Sequence, residues 1–336
     1  MDYFILIILS FLLNITLYFF DKKINLVDIP NQRKIHDFNT PLIGGISIYS
    51  SIFITFFLFG KLNDDFIKIL LLSSSLIVLL GIIDDYKNIN YKLRVFFIIF
   101  ITYLIIYLNE IFIINLGIFF NIKFLNLGIF GLFFTIFSVF ALVNAFNFMD
   151  GIDGLVAIQS ITILSILSFY NIYFSLDNQI TLNLYLIVVL FIFIIFNLFS
   201  KKKFKIFLGD AGSMFLGFII SWIVIDMSQN FKPLPVILIP WILSYPIFDL
   251  VSTVIIRILK NKSPFKPDHN HFHYLLLKNK NFSIYKINAI IFLISITMNV
   301  IGLITYTFLL EELSFIILII LFLFFHFYKW NQVRQL

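Results

Sequence analysis

Residues 66–87 read Phe66-Ile-Lys-Ile-Leu-Leu-Leu-Ser-Ser-Ser-Leu-Ile-Val-Leu-Leu-Gly81-Ile-Ile-Asp84-Asp85-Tyr-Lys87. From 66 to 83 the only charge is Lys68, and the run is close to the roughly 20 apolar residues that cross a hydrocarbon core as a helix. It then stops on two adjacent carboxylates. Working outward, comparable apolar runs lie at about 3–20, 42–60, 93–108, 128–146, 155–172, 183–199, 211–227, 234–257, 286–309 and 314–328. With 66–83 they make about eleven spans at the usual requirement per helix. The stretch 109–127 is apolar but punctuated by Glu110, Asn115, Gly117, Asn121, Lys123 and Asn126, and reads as a short hairpin on the outer surface.

Composition agrees. The chain of 336 residues is 61% hydrophobic and only 12% charged, against about 25% charged in soluble domains. That excludes a soluble globular enzyme, a disordered chain and a fibre. The prediction is an all-α, polytopic transmembrane helical bundle forming a single domain over 1–336. There is no cysteine, so neither a disulfide nor a thiolate metal site is available. The net charge of +6 is read as the basic bias of cytoplasmic loops, not as a nucleic-acid surface.

The charges also set an orientation. Asp2 precedes the first run and Lys22 and Lys23 follow it, the reverse of a secretory signal. The first helix is therefore expected to be retained, with the N-terminus outside and the C-terminus cytoplasmic. This threading gathers 20 of the 24 basic residues on the inner side, leaving Lys61, Lys68, Lys123 and Lys232 outside.

The span centres are nearly free of charge. A transporter or flippase needs ionisable groups near mid-membrane and is built from internal repeats; neither pattern is present. The polar residues gather instead in five segments at the inner ends of helices, as expected of an enzyme handling one soluble and one lipid substrate.

The first segment, Val27 to Gly45, carries Arg33, Lys34 and His36 between Pro30 and Pro41. Its two basic residues could hold a phosphate or simply mark the inner side. The second is the Asp84–Asp85 pair, followed by Lys92 and Arg94. Paired carboxylates at the end of an apolar helix call for water, a cation or a metal-bound phosphate.

In the third segment, Asn144, Asn147, Asp150 and Asp153 recur every third residue and would drift off one face of a straight helix. Gly151 and Gly154 let the backbone unwind and gather them. Oxygen-only donors suit Mg²⁺, and a polar cap and turn is the plainer account. The fourth, Phe207-Leu-Gly209-Asp210-Ala-Gly-Ser213, places a carboxylate among glycines at a helix start, as a cap or as a phosphate and metal site. The fifth runs Ser263 to Tyr274 and holds His269, His271 and His273. These could be donors to a pyrophosphate, zinc ligands lacking a fourth partner, or parts of a solvated loop.

Together the five segments resemble the polyprenyl-phosphate N-acetylhexosamine-1-phosphate transferase superfamily, glycosyltransferase family 4. The resemblance covers about residues 27–277. It rests on Asp28-Ile-Pro-Asn-Gln-Arg-Lys-Ile-His36 with Gly44-Gly45, on Asp84-Asp85, and on Asn144-Ala-Phe-Asn-Phe-Met-Asp-Gly-Ile-Asp-Gly-Leu155. Phe207-Leu-Gly-Asp-Ala-Gly-Ser213, and Asp249 eight residues before Arg257 and leading into the histidine segment, complete it. The chain is more similar to the branch that starts O-antigen, teichoic acid and related glycans with N-acetylglucosamine-1-phosphate than to the muramyl-pentapeptide branch, whose activity is the alternative. It departs from the family at Tyr274, where a further histidine is usual, and at His269, where arginine is common.

The resemblance implies transfer of an N-acetylhexosamine-1-phosphate from a UDP-sugar to undecaprenyl phosphate with release of UMP, in a multi-pass protein of the bacterial cytoplasmic membrane with its active site on the cytoplasmic face. It implies Mg²⁺, with Mn²⁺ as an alternative, held by Asn147 and Asp210. Asp84 and Asp85 take the catalytic position, as general base or as positioning groups for the lipid phosphate. Arg33, Lys34, Lys92, Asn144, Asp150, Asp153, Gly209, Ser213, His271 and His273 are the substrate-binding candidates. Membrane lipids are the surrounding partners, nucleic acid is not expected, and a homodimer is the oligomer to test.

Overall fold

The computed structural model describes residues 1–24, 26–30, 38–62, 64–117, 125–174, 180–200, 203–229, 234–264, 268–280 and 282–335. Its helices are α1 (Asp2–Ile24), α2 (Gly44–Leu58), α3 (Asp65–Lys87), α4 (Tyr91–Asn109), α5 (Phe130–Met149), α6 (Leu155–Tyr173), α7 (Ile180–Ile194), α8 (Gly209–Gln229), α9 (Ile239–Ile242), α10 (Ser244–Leu259), α11 (Phe272–Lys280), α12 (Ile284–Phe308) and α13 (Glu311–Arg334). A π-helical turn, Ile195–Phe199, extends α7, and a two-stranded antiparallel pair joins β1 (Val27–Asp28) to β2 (Thr40–Pro41). Among the described residues nine helices are long and apolar enough to cross a membrane; α9 with α10 forms a bent tenth, and α2 is a shorter apolar helix. This is a multi-pass, all-α membrane protein.

Local chemistry sets the helix starts. Asp64 accepts the Ile67 amide at the head of α3, Asn90 that of Lys92 at α4, and Ser283 that of Lys286 at α12, each satisfying an orphan donor of a first turn. Helix α8 is the axis, buried without interruption from Ala211 to Ser228. Small residues let its neighbours approach closely, as membrane helices do in place of a hydrophobic driving force. A Cβ on Gly45 would lie 2.2 Å from the Gly212 nitrogen, and one on Gly81 2.3 Å from the Ala211 Cα. Helices α2, α3 and α5 therefore pack directly on α8.

Two expectations are refined. The run 234–257 is not one straight span: a 75° bend separates the short helices before Leu243 from α10. Pro240 and Pro246 flank the bend, each lacking an amide donor and tolerated in a first helical turn. The histidine segment also closes into a short helix, α11, whose first turn holds His273. The described ends of the apolar stretch 109–127 pair as the arms of a hairpin, with Asn115 opposite Asn126 and Leu116 N–H on Leu125 O at 3.1 Å. Gln229 at the end of α8 fastens it, accepting the amides of Ile114 and Asn115.

The far end of the bundle has its own junction. Asp2 at the start of α1 accepts from Lys61 Nζ and Tyr185 Oη, each at 2.6 Å. Lys61 follows α2 and Tyr185 lies on α7. The described parts of the five polar segments lie away from this junction, at the ends where α3 and α5 finish and α8 begins.

Candidate active site

The site is built where the C-terminal turns of α3 and α5 meet the first turn of α8. Gly209 opens α8 with φ +73°, a left-handed conformation suited to glycine, and a Cβ there would meet Asp85 Oδ2 at 2.7 Å. That turn presents two free backbone amides, and Asp85 takes both. Its Oδ1 accepts from Asp210 N at 2.9 Å and its Oδ2 from Ala211 N at 3.2 Å. A carboxylate from α3 thus caps α8 and sits on the positive end of its dipole.

Neighbouring Asp84 points elsewhere, since successive helical residues are turned by about 100°. Buried at 5% exposure, it accepts from the Ile89 amide at 3.0 Å and from Arg94 NH1 at 3.0 Å, and its charge is felt at Asp210. Sequence reading counted Arg94 only as an inner-side charge. Asp210 Oδ1 accepts from Asn147 Nδ2 at 2.7 Å, and the same amide reaches Ser213 Oγ at 3.2 Å. Ser213 in turn donates to the Gly209 carbonyl. The structure therefore brings together Asp84, Asp85, Asn147, Gly209, Asp210 and Ser213.

The remaining candidates fall in two neighbouring places. Asn144, on α5, donates to Phe140 O at 2.7 Å and lines an apolar cavity of about 990 Å³ between α5, α8 and the bent α9–α10 pair. Phe148, Ser221 and Leu243 share its wall, and Phe134, Phe137 and Val251 carry it to the exposed flank of the bundle. Asp150 follows α5 as an exposed C-cap. Asp153 lies in the turn after it and accepts from Lys205 Nζ at 2.5 Å. A recess of about 320 Å³ opens over this pair, walled by Phe38, Leu198, Phe199 and Tyr285.

Asn197, in the π-turn, was missed by sequence reading because it sits inside an apolar run. Its carboxamide accepts Gly154 N at 2.7 Å and donates to Ile206 O at 2.8 Å, tying the Asp150–Gly154 turn to the strand-like approach to Asp210. Such π-turns recur at functional sites.

His271 is buried and bonded at both ring nitrogens, Nδ1 to Asp249 Oδ2 at 2.8 Å and Nε2 to Arg257 NH2 at 3.4 Å. Arg257 forks onto both oxygens of Asp268 and reaches the Pro264 carbonyl. Burial alone would raise the Asp268 carboxyl, but the Arg257 bonds outweigh it and hold the group below the usual carboxylate range. His273 is wholly buried, with no hydrogen-bond partner for either nitrogen among the described residues. Burial lowers its pKa to about 3, keeping the imidazole neutral. It packs on Gly151, where a Cβ would stand 2.4 Å from Nε2. Tyr274 lies against the same glycine and edge-on to His269 at 4.7 Å; burial, then the nearby Asp150 charge, pushes its hydroxyl up to about 12. Lys92 is exposed in the first turn of α4, and Arg33 and Lys34 lie outside the described residues.

No group of three or more His, Asp or Glu side chains among the described residues is arranged to hold a metal alone. The donor set nevertheless fits a hard cation. Asp84, Asp85 and Asp210 lie close together with Arg94 as a counter-charge; N–H donors occupy the oxygens of Asp84 and Asp85, and the second oxygen of Asp210 and the Asn147 carbonyl are the oxygen ligands on offer. Mg²⁺ is commonly held by one or two carboxylates, with water and substrate phosphates completing its shell.

An apolar cavity and a polar cluster that share the last turns of α5 define a membrane enzyme site, and comparison with known proteins gives its class. The family described as Glycosyl transferase family 4 matches residues 67–228. The chain is 32% identical to the undecaprenyl-phosphate alpha-N-acetylglucosaminyl 1-phosphate transferase of Escherichia coli (strain K12) over 265 residues, covering 76% of this chain and 70% of that protein. It is 38% identical over 263 residues to the protein of the same name from Pasteurella multocida (strain Pm70), covering 76% and 72%. With the Yersinia pestis protein of that name it shares 31% over 261 residues. The chain belongs to glycosyl transferase family 4.

Proposed function

We propose that this chain transfers an N-acetylhexosamine-1-phosphate, with N-acetylglucosamine as the first sugar to test, from a UDP-sugar to undecaprenyl phosphate. UMP is released and a lipid-linked cell-surface glycan is begun. The chain is a phospho-sugar transferase acting as one domain in the bacterial cytoplasmic membrane, with its site at the cytoplasmic face. The observation that carries this reading is that the last turns of α5 give Asn147 to the Asp85–Asp210–Ser213 cluster while Asn144 and Phe148 beside it line the apolar cavity. The cluster suits phosphates, and the cavity suits a long polyprenyl chain.

The reaction joins a phosphate oxygen of the lipid to the β-phosphorus of the UDP-sugar. The bond from that phosphorus to the bridging oxygen breaks, and UMP leaves with the electron pair. A phosphate monoester is largely ionised at pH 7, its second pKa being about 6, so no strong base is required. Asp85 spends both oxygens on the amides of α8 and acts as the group that sets Asp210 in place, while Asp84 is balanced by Arg94. Asp210, with the oxygen not bonded to Asn147, and the Asn147 carbonyl would hold Mg²⁺, which when bound neutralises charge developing on the pyrophosphate. The recess over Asp153 and Lys205, with its aromatic walls, takes the nucleotide. His273 and Asp150 face the sugar side, and Asn144 stands where the lipid head enters the cavity.

The test is Asp210→Asn in purified protein, assayed for UMP release from UDP-N-acetylglucosamine with undecaprenyl phosphate at saturating Mg²⁺. Turnover is expected to fall by about 10³-fold, the scale of losing a main charge-stabilising group, with thermal unfolding unchanged. Activity within tenfold of wild type removes the assignment.

A further inference from the structure

The C-terminal helix α13 shows mostly lipid-facing apolar residues, yet at its end Lys329 is completely buried. All three ammonium protons have acceptors. Nζ donates to Asp249 Oδ1 at 2.5 Å, to the Asp249 carbonyl at 3.0 Å and to Thr253 Oγ1 at 2.6 Å. A buried pair alone would be unremarkable, since apolar residues of similar volume often replace one without loss. Here the carboxylate is also committed to a third segment. Asp249 Oδ1 accepts the Phe272 amide at 2.8 Å, capping the first turn of α11, and Oδ2 holds His271 Nδ1.

We propose that Lys329 is a positioning residue for the donor side of the site: it fixes Asp249, which fixes the His271–Tyr274 segment against Gly151. This rests on the transferase reading above. The chain of contacts is continuous from α13 to the turn that bears Asp150 and Asp153. The His271 and His273 rings stack at 5.8 Å between centroids, and His273 abuts Gly151. Arg257, bonded to His271 and Asp268, frames the other side of the segment. Without Lys329, Asp249 becomes a buried carboxylate with no ammonium bonded to it, and its orientation between His271 and Phe272 N–H is no longer determined. Lys329 lies outside the residues 67–228 that match the family.

Two variants and two readouts test this. In Lys329→Met, the KM for UDP-N-acetylglucosamine is expected to rise about tenfold or more, a displacement effect on a bound group. The KM for undecaprenyl phosphate should stay within twofold. Amides of residues 269–275 should exchange with deuterium about tenfold faster, while those of α3 and α8 hold. The double variant Asp249→Asn with Lys329→Met removes both buried charges and should restore the melting temperature but not the donor KM. His271 and Phe272 N–H each meet a separate oxygen of Asp249, and an asparagine would set its NH₂ donor against one of them. Unchanged donor KM and unchanged amide exchange in folded Lys329→Met overturn the proposal, as does recovery of the donor KM in the double variant. If the wild-type protein turns over no UDP-sugar, the transferase reading falls, and the exchange data alone decide whether Lys329 fixes the segment.

Discussion

Replacing Gly81 by alanine should disable the site from a full helical turn away. The added Cβ would stand 2.3 Å from the Ala211 Cα and 2.5 Å from its nitrogen, where ordinary contact begins at 3.4 Å. Both neighbours are backbone in the buried helix α8, so neither can swing aside, and α3 and α8 must part by about 1 Å. Asp85 lies four residues beyond Gly81, on the same face of α3. Its bonds to Asp210 N and Ala211 N, 2.9 and 3.2 Å long, would open to about 4 Å, beyond hydrogen-bonding range. Overpacking of this kind costs about 1–3 kcal/mol of stability, which a multi-helix protein can survive. A displacement of about 1 Å at reacting groups costs about 10²-fold in rate. The assay is UMP release by purified Gly81→Ala, with the melting temperature measured beside it. Gly60→Ala is the control: its Cβ meets nothing within 4 Å, though its φ of +62° brings local strain, and its turnover should match wild type within twofold. Gly81→Ala turning over within threefold of wild type would refute the claim that the α3–α8 contact sets the site.

Other outcomes follow from the same geometry. Asn197→Ala leaves the Gly154 amide and the Ile206 carbonyl without their partner, at about 1–3 kcal/mol each; the melting temperature should fall and the donor KM rise, and an unchanged melting curve would count against the brace. For topology, a cysteine at Asp65 should react with an impermeant thiol reagent in intact cells, and one at Lys262 only after lysis. The opposite pattern would reverse the orientation.

Hydropathy located the helices because each span must satisfy its own backbone in lipid, and the clustering of Asp84, Asp85, Asn147 and Asp210 was legible because carboxylates at the ends of apolar helices are conspicuous. Their division of labour was not. Asp84 and Asp85 are adjacent letters, but the helical turn sends one to Arg94 and the other to α8. Asn197 was hidden in an apolar run because its two partners lie on other segments. Lys329 looked like any basic residue after a last span, since only the tertiary packing brings Asp249 beneath it. The start of α11 was equally obscure, because its cap comes from Asp249, 23 residues earlier in the chain, where local patterns do not reach. The bend before α10 was not legible, because hydropathy runs smoothly through Pro240 and Pro246 and the run 234–257 reads as one span.

The junction of Asp2, Lys61 and Tyr185 bears on how the protein is made. Helix α1 emerges from the ribosome before α2 and α7, yet its carboxylate anchor is completed by residues 59 and 183 positions later. Until α7 has been synthesised and inserted, the first helix has α2 beside it and only half of its polar clasp. Nascent chains cut short before residue 185 must therefore hold α1 by packing and the Asp2–Lys61 pair alone. Biogenesis of the N-terminal half is thereby tied to the arrival of the middle of the chain, and a Tyr185→Phe chain should lag at that step while losing little else.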